Sequence, residues 1–170
     1  MTLFRVLIVD DDETIGNITC KALQSQVGPW GFYCDHNTSF PDAMERLKNN
    51  DYEAVMLDKS ISGREGLDGL KEMMAAFPHL AIIIFTGDHS PDSLWQAQLN
   101  GAQYYVTKPP NIETLPRVIV SAIARQKAVN VLRSKIGNEK SARSKLDWTI
   151  IIGSITAAIA SIIVAWIARR

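Results

Sequence analysis

Residues 3–16 read LFRVLIVDDDETIG, an apolar run that stops abruptly at three consecutive aspartates. Residues 6–9, VLIV, are short, uninterrupted and β-branched, the composition of a strand covered on both faces. Like charges gathered at a buried strand end repel one another, by about 1 kcal/mol per pair at 4 Å in water and several-fold more inside a protein. Such a cluster needs a cation. The opening stretch therefore predicts a buried strand that delivers carboxylates to a site.

The same grammar repeats along the chain. After Asp12, the apolar residues Ile15, Ile18, Ala22 and Leu23 recur at helical spacing until Gly28-Pro29 ends the pattern. A second strand is predicted at 32–36 (FYCDH) and a second helix at 40–50. Residues 54–57 (AVML) form another buried-strand run, ending in Asp58, and a helix over 67–77 closes at Pro78. A fourth strand over 80–85 runs into Thr86. A helix over 90–101 has Pro91 near its start and Gly101 past its end. A fifth strand, 102–107, ends in Lys108-Pro109-Pro110. The last helix begins near Asn111 and packs through Ile112, Leu115, Ile119, Ala122 and Ile123.

Strands that alternate with helices imply right-handed crossovers and an α/β fold with a doubly wound, five-stranded parallel sheet. Ligands of such sheets bind at the carboxyl ends of the strands. That edge would collect Asp10 and Asp11, Asp58, Thr86 and Lys108. Oxygen ligands without thiolates or imidazoles favour Mg²⁺. With an ammonium, a hydroxyl and a carboxylate nucleophile beside the metal, the set can hold a phosphoryl group during transfer.

Composition narrows the classes. A chain of 170 residues can bury one substantial core and carry an appendage. Lys plus Arg equals Asp plus Glu at 18 each, so no overall basicity points to nucleic acid. Cys20 and Cys34 fall in a predicted helix and strand without metal-ligand spacing, and are read as buried, reduced thiols. His36, His79 and His89 are isolated and are read as surface or loop residues.

These residues resemble the response-regulator receiver domain of two-component signalling over about residues 3–125. VLIVDDDETI is similar to that family's first-strand motif, AVMLD to its phosphoacceptor strand, FTGD to its switch-hydroxyl motif and YVTKPP to its lysine-proline motif. The resemblance implies a flavodoxin-like sheet of order 2-1-3-4-5. It implies that Asp10, Asp11 and Asp58 hold Mg²⁺, with the Ser60 backbone carbonyl as a further ligand, and that Asp58 accepts the phosphoryl group. It makes Thr86 the switch hydroxyl, Lys108 the phosphate-binding lysine before a cis bond to Pro109, and Tyr105 an aromatic switch. Asp12 is expected to cap the first helix. The implied partner is a histidine kinase or phosphotransfer protein. A receiver is a phosphoacceptor rather than an enzyme, with self-phosphorylation from small donors and autodephosphorylation as its own chemistry. The loop 59–69 departs from the family pattern: Lys59 follows the acceptor, Ser62 stands where proline is usual, and extra residues precede Leu67. Lys59 is read as a solvated side chain, with an additional phosphate contact as the alternative.

A second family shares part of this pattern. Haloacid-dehalogenase-like phosphohydrolases begin Asp-x-Asp-x-Thr after an apolar strand, which Asp10, Asp12 and Thr14 match. Asp10 would then be the nucleophile and Asp12 the general acid, with Thr86 and Lys108 completing two further motifs. The acidic pair expected after the lysine is missing, because the later acids are Glu113, Glu139 and Asp147, none adjacent to another.

The last third reads differently. Apolar positions continue through Val129, Leu132 and Ile136, and residues 126–147 are read as a helical extension and polar linker. Residues 148–168, WTIIIGSITAAIASIIVAWIA, carry no charge over 21 positions. At about 1.5 Å per residue that length spans the roughly 30 Å core of a bilayer. Trp148 and Trp166 flank it, and basic residues are denser before it than after, so a single-pass anchor in the inner membrane with the receiver on the cytoplasmic side is expected. Gly153, Ala157, Ser161 and Ala165 form a small-residue stripe that would let such helices associate, giving a possible route to homo-oligomers or a membrane partner. Output is expected through protein contacts with a downstream partner, without DNA binding.

Overall fold

The computed structural model describes residues 2–61, 67–88, 90–102 and 104–136. His89, residues 62–66 and the apolar stretch 148–168 with Gly153, Ala157, Ser161 and Ala165 lie outside that set. The chain divides into two units, residues 1–128 and 129–170. In the first, the elements run β1 (Thr2–Val9), α1 (Glu13–Gln24), β2 (Trp30–Asn37), α2 (Phe40–Asn49), β3 (Ala54–Leu57), α3 (Asp68–Ala76), β4 (Ala81–Thr86), α4 (Pro91–Leu99) and β5 (Tyr104–Thr107). A fifth helix, α5, begins at residue 115. In the second unit, residues 129–136 are helical.

The strands form one parallel sheet of order β2-β1-β3-β4-β5. The continuous apolar runs are explained by two cores, one on each face. Val6, Ile8, Ala54, Met56, Ile83 and Phe85 face α1 and α5. Their alternates Leu7, Val9, Val55, Leu57, Ile82 and Ile84 face α2, α3 and α4. Successive strand residues point to opposite faces, so a strand with helices on both sides is apolar throughout. β5 lies at an edge and is half-buried along its whole length.

Local signals stop and start the helices as their chemistry requires. Asp12 accepts the backbone N–H groups of Thr14 and Ile15 at 2.9 and 3.0 Å, capping α1. Ser39 and Ser90 cap α2 and α4, each followed by proline in the first turn. Gly101 closes α4 at φ 96°, a conformation that L side chains rarely adopt.

Three expectations change. α1 buries Gly16, Thr19, Cys20 and Leu23, the i, i+3, i+4, i+7 set, which turns Ile18 outward to 60% exposure. Cys20 and Cys34 are joined in a disulfide rather than held as separate thiols: α1 lies against β2 with the two Cα atoms 5.2 Å apart, inside the range a disulfide spans. His36 is neither a loop nor a free surface residue. It sits on β2, its Nε2 lies 2.8 Å from the Asp10 carbonyl oxygen, and its ring fills the space above Gly16.

Gly16 is therefore small for reasons of space. A Cβ there would lie 2.2 Å from His36 Nε2. Alanine normally stabilises a helix interior by up to about 1 kcal/mol over glycine, but here Gly16→Ala is expected to lower stability by about 1–3 kcal/mol, the range for overpacking. Urea unfolding should show the loss and its relief when His36→Ala is added.

Next to His36 on β2, and so on the opposite face of that strand, the Tyr52 hydroxyl donates to Asp35 Oδ2 at 2.5 Å, and Arg46 pairs with Asp35 at 3.1 Å. Burial, with the hydrogen bond to Asp35, pushes the Tyr52 hydroxyl up to about 12. A raised pKa means that folding favours the protonated phenol. Its contribution is complete below the unfolded value near 10 and is lost as pH rises toward 12. The urea midpoint of the wild type should fall more steeply across that interval than that of Tyr52→Phe.

Candidate functional site

Strand register builds the site. Val9 pairs with Leu57 and Leu57 with Ile84, while Thr86 pairs with Thr107. The residues that follow these strands are thus brought to one edge: Asp10 and Asp11 after β1, Asp58 after β3, Thr86 at the end of β4, Lys108 after β5. Backbone bonds continue the ladder past the strand ends, with Asp58 N–H donating to the Val9 carbonyl at 2.8 Å and Lys108 N–H to the Thr86 carbonyl at 2.9 Å.

Asp10, Asp11 and Asp58 each present an oxygen, and the three atoms lie within 4.8 Å of one another. Asp10 is fully buried, Asp58 nearly so, and Asp11 is exposed. The Lys108 ammonium bridges the two buried acids, 2.7 Å from Asp10 Oδ2 and 3.1 Å from Asp58 Oδ2. The Asp10 contact is a charge contact, with no hydrogen bond aligned on that buried oxygen. The other Asp10 oxygen accepts the Asp12 N–H at 3.0 Å. Burial raises the Asp58 carboxyl above its ordinary value despite the pull of Lys108. Burial opposes the charge of Lys108, yet its contacts with Asp10 and Asp58 outweigh that cost and its pKa is raised. The Lys108–Pro109 peptide bond is cis.

Residues 6–120 match the family described as "Response regulator receiver domain". The chain belongs to that family. The E. coli K12 transcriptional regulatory protein ZraR is similar at 26% identity over 125 residues, 74% of this chain and 27% of that protein. A putative response regulator, NtrX-like, of Rickettsia bellii is 30% identical over 158 residues, 92% of this chain and 31% of its own length. This chain thus spans between about a quarter and a third of these relatives. Among solved structures, a response-regulator receiver domain from Clostridium thermocellum superposes with TM-score 0.65 at 27% identity, covering 74% of this chain and 98% of that one. The receiver has the flavodoxin-like fold with the expected strand order.

Receiver domains bind Mg²⁺ in an acidic pocket, and the donors here fit that ion. They are all carboxylate oxygens, and the buried Asp10 Oδ2 has no aligned hydrogen bond. Asp12 is not one of these three donors, and its Oδ1 accepts both N–H groups of the α1 cap. That use of Asp12 does not favour the phosphohydrolase pattern, which needs it as a general acid.

The receiver's other groups show what single residues cannot announce. Lys59 is part-buried and ion-paired rather than a freely solvated side chain. Its ammonium donates to Asp88 Oδ2 at 2.8 Å and to Ser93 Oγ at 2.6 Å. Asp88, two residues beyond Thr86 in the FTGD motif, was not singled out from the sequence, and its position in that motif was the only signal. Its N–H donates to Thr86 Oγ1 at 3.3 Å, and its carbonyl accepts the Tyr105 hydroxyl. Lys59 and the neighbouring serines hold the Asp88 carboxyl far below its ordinary value. Burial and the Asp88 charge raise the Tyr105 hydroxyl. Ser60 N–H lies 3.4 Å from Asp58 Oδ1, at the long end for a hydrogen bond.

A cation between Asp10, Asp11 and Asp58 should stabilise the fold by mass action. At a magnesium concentration ten times its dissociation constant the gain is about 1.4 kcal/mol. Thermal unfolding with and without magnesium should show it in the wild type and not in Asp10→Asn. An equal shift in that variant would put the ion elsewhere.

Proposed function

We propose that this chain is a two-component receiver that accepts a phosphoryl group on Asp58 from a histidine kinase or phosphotransfer protein and signals by changing its contacts with another protein. The observation that carries this reading is the placement of the buried Asp58 carboxylate beside Asp10, Asp11 and the Lys108 ammonium. Asp58 is held at the end of β3 by its backbone bond to Val9, so its carboxylate reaches the open edge of the sheet as a positioned nucleophile. An Asp58 oxygen attacks the phosphorus of the donor, a P–O bond forms, and the P–N bond to the donor histidine breaks with the electron pair returning to the imidazole. Lys108 balances the negative charge that the phosphoryl oxygens bring. Thr86 supplies a hydroxyl on the adjacent strand. Magnesium, when bound by Asp10, Asp11, Asp58 and the Ser60 carbonyl, neutralises further charge on the phosphoryl group. The chain is on this reading a phosphoacceptor and not a turnover enzyme.

Output follows as a shift between two states, of which phosphate contacts favour one. The exposed apolar residues of α4, Leu94, Trp95 and Leu99, support a partner surface next to Thr86 and Tyr105. A membrane location rests on the uncharged stretch 148–168 alone. Among the described residues no helix is long and apolar enough to cross a membrane. Under this reading that stretch spans the inner membrane once, the receiver faces the cytoplasm, and the small-residue stripe at Gly153, Ala157, Ser161 and Ala165 packs a second copy or a membrane partner.

Acetyl phosphate with magnesium should give one slower band on a phosphate-affinity gel, with the label on Asp58. Asp58→Asn should abolish the band and Lys108→Met should lower its yield at least tenfold. Label on Asp10, or label persisting in Asp58→Asn, would overturn the proposal.

A further inference from the structure

The residue after the phosphoacceptor carries the next step. Lys59 follows Asp58 in the chain and crosses to Asp88 in the loop between β4 and α4 and to Ser93 in the first turn of α4. Its side chain is only 22% exposed. Asp88 is the hub of this contact. Its Oδ2 takes Lys59 and the Ser93 hydroxyl, its Oδ1 takes the Ser90 N–H at 2.9 Å, its N–H serves Thr86 Oγ1, and its carbonyl takes the Tyr105 hydroxyl. Ser93 is itself buried in the first turn of α4. One residue thus ties the acceptor's neighbour to α4 through its carboxylate and to Thr86 and Tyr105 through its backbone.

We propose that the Lys59–Asp88 ion pair, seated on Ser93, is a latch that holds the β4–α4 loop, Thr86 and Tyr105 in the resting arrangement, and that phosphorylation of Asp58 must loosen it. This rests on the receiver reading above. Phosphorylation replaces the single charge of the Asp58 carboxylate with about two on the acyl phosphate, so about one negative charge is added next to Lys59 in the chain, and the phosphoryl oxygens compete with Asp88 for the ammonium. Loss of Lys59 leaves Asp88 without its cation. The residue that accepts from Tyr105 and donates to Thr86 is then free to shift. The coupling is reciprocal: if phosphate weakens the latch, removing the latch favours the phosphate-bound state by the same factor.

The full chain in detergent micelles, titrated with beryllofluoride at fixed magnesium, tests this directly, with hydrogen exchange of residues 86–99 followed in parallel. Asp88→Asn, which frees the ammonium for the phosphoryl mimic, should lower the half-saturating concentration about fivefold, the upper end for a part-exposed ion pair. Lys59→Met, which removes the latch and the ammonium together, should lower it less. Each should also speed exchange in 86–99 without beryllofluoride, and Lys59→Arg should exchange as wild type. Added to Lys59→Met, Asp88→Asn should shift half-saturation no further. Unchanged half-saturation in Asp88→Asn, the full fivefold shift persisting in the Lys59→Met background, or Lys59→Arg exchanging as fast as Lys59→Met would overturn the latch. Should Asp88→Asn fail to fold, exchange in Lys59→Met against Lys59→Arg decides alone. Failure of the wild type to bind, or equal binding by Asp58→Asn, would instead overturn the receiver reading.

Discussion

A lysine ammonium placed between two buried carboxylates is the constraint on which the site depends. Asp10 is fully enclosed and Asp58 nearly so, and an unpaired charge in such a place is costly. Lys108 meets both oxygens within 3.1 Å and thereby makes the ionised pair tolerable. It also explains why Asp11 differs from its neighbour. Asp11 is exposed, and water shares its charge, whereas Asp10 relies on Lys108, its hydrogen bond to the Asp12 N–H and whatever cation joins the cluster.

That constraint is delivered by the sheet. β1, β3 and β4 are buried on both faces, so their register is set by two cores at once, and a slip of one residue would exchange every side chain between them. The carboxylates inherit this rigidity at the strand ends. The backbone around Asp10 is held from β2 as well, by its N–H to the Asn37 carbonyl at 3.0 Å and by His36 Nε2 at its own carbonyl. The edge of the pocket away from β2 is softer. β5 is half-buried, and α4 buries only Ser93 and Ala97, leaving Leu94, Trp95 and Leu99 on the surface. Elements with few buried contacts are the ones that rearrange at small cost. Lys59, Asp88 and Tyr105 join across this softer side, where a change of charge at Asp58 can be converted into movement.

The sequence by itself determined the architecture and the place of the chemistry. Its alternating apolar runs and helical stripes specify a parallel sheet because two-sided burial leaves a continuous apolar strand, and the residues that end those strands meet at one edge. Sequence order also separates Asp12 from Asp10 and Asp11, since an aspartate before a helix caps it. Only the tertiary structure decided the pairings. Lys59 reaches Asp88 across 29 residues and His36 reaches Asp10 across 26. Cys20 and Cys34 are bonded, and α1 turns Ile18 outward because Gly16 must pass beneath His36. Periodicity reports which face of an element is buried, through the local repeat of its own side chains. Which polar group meets which depends on strand register and helix rotation, and those are settled by packing the whole domain at once.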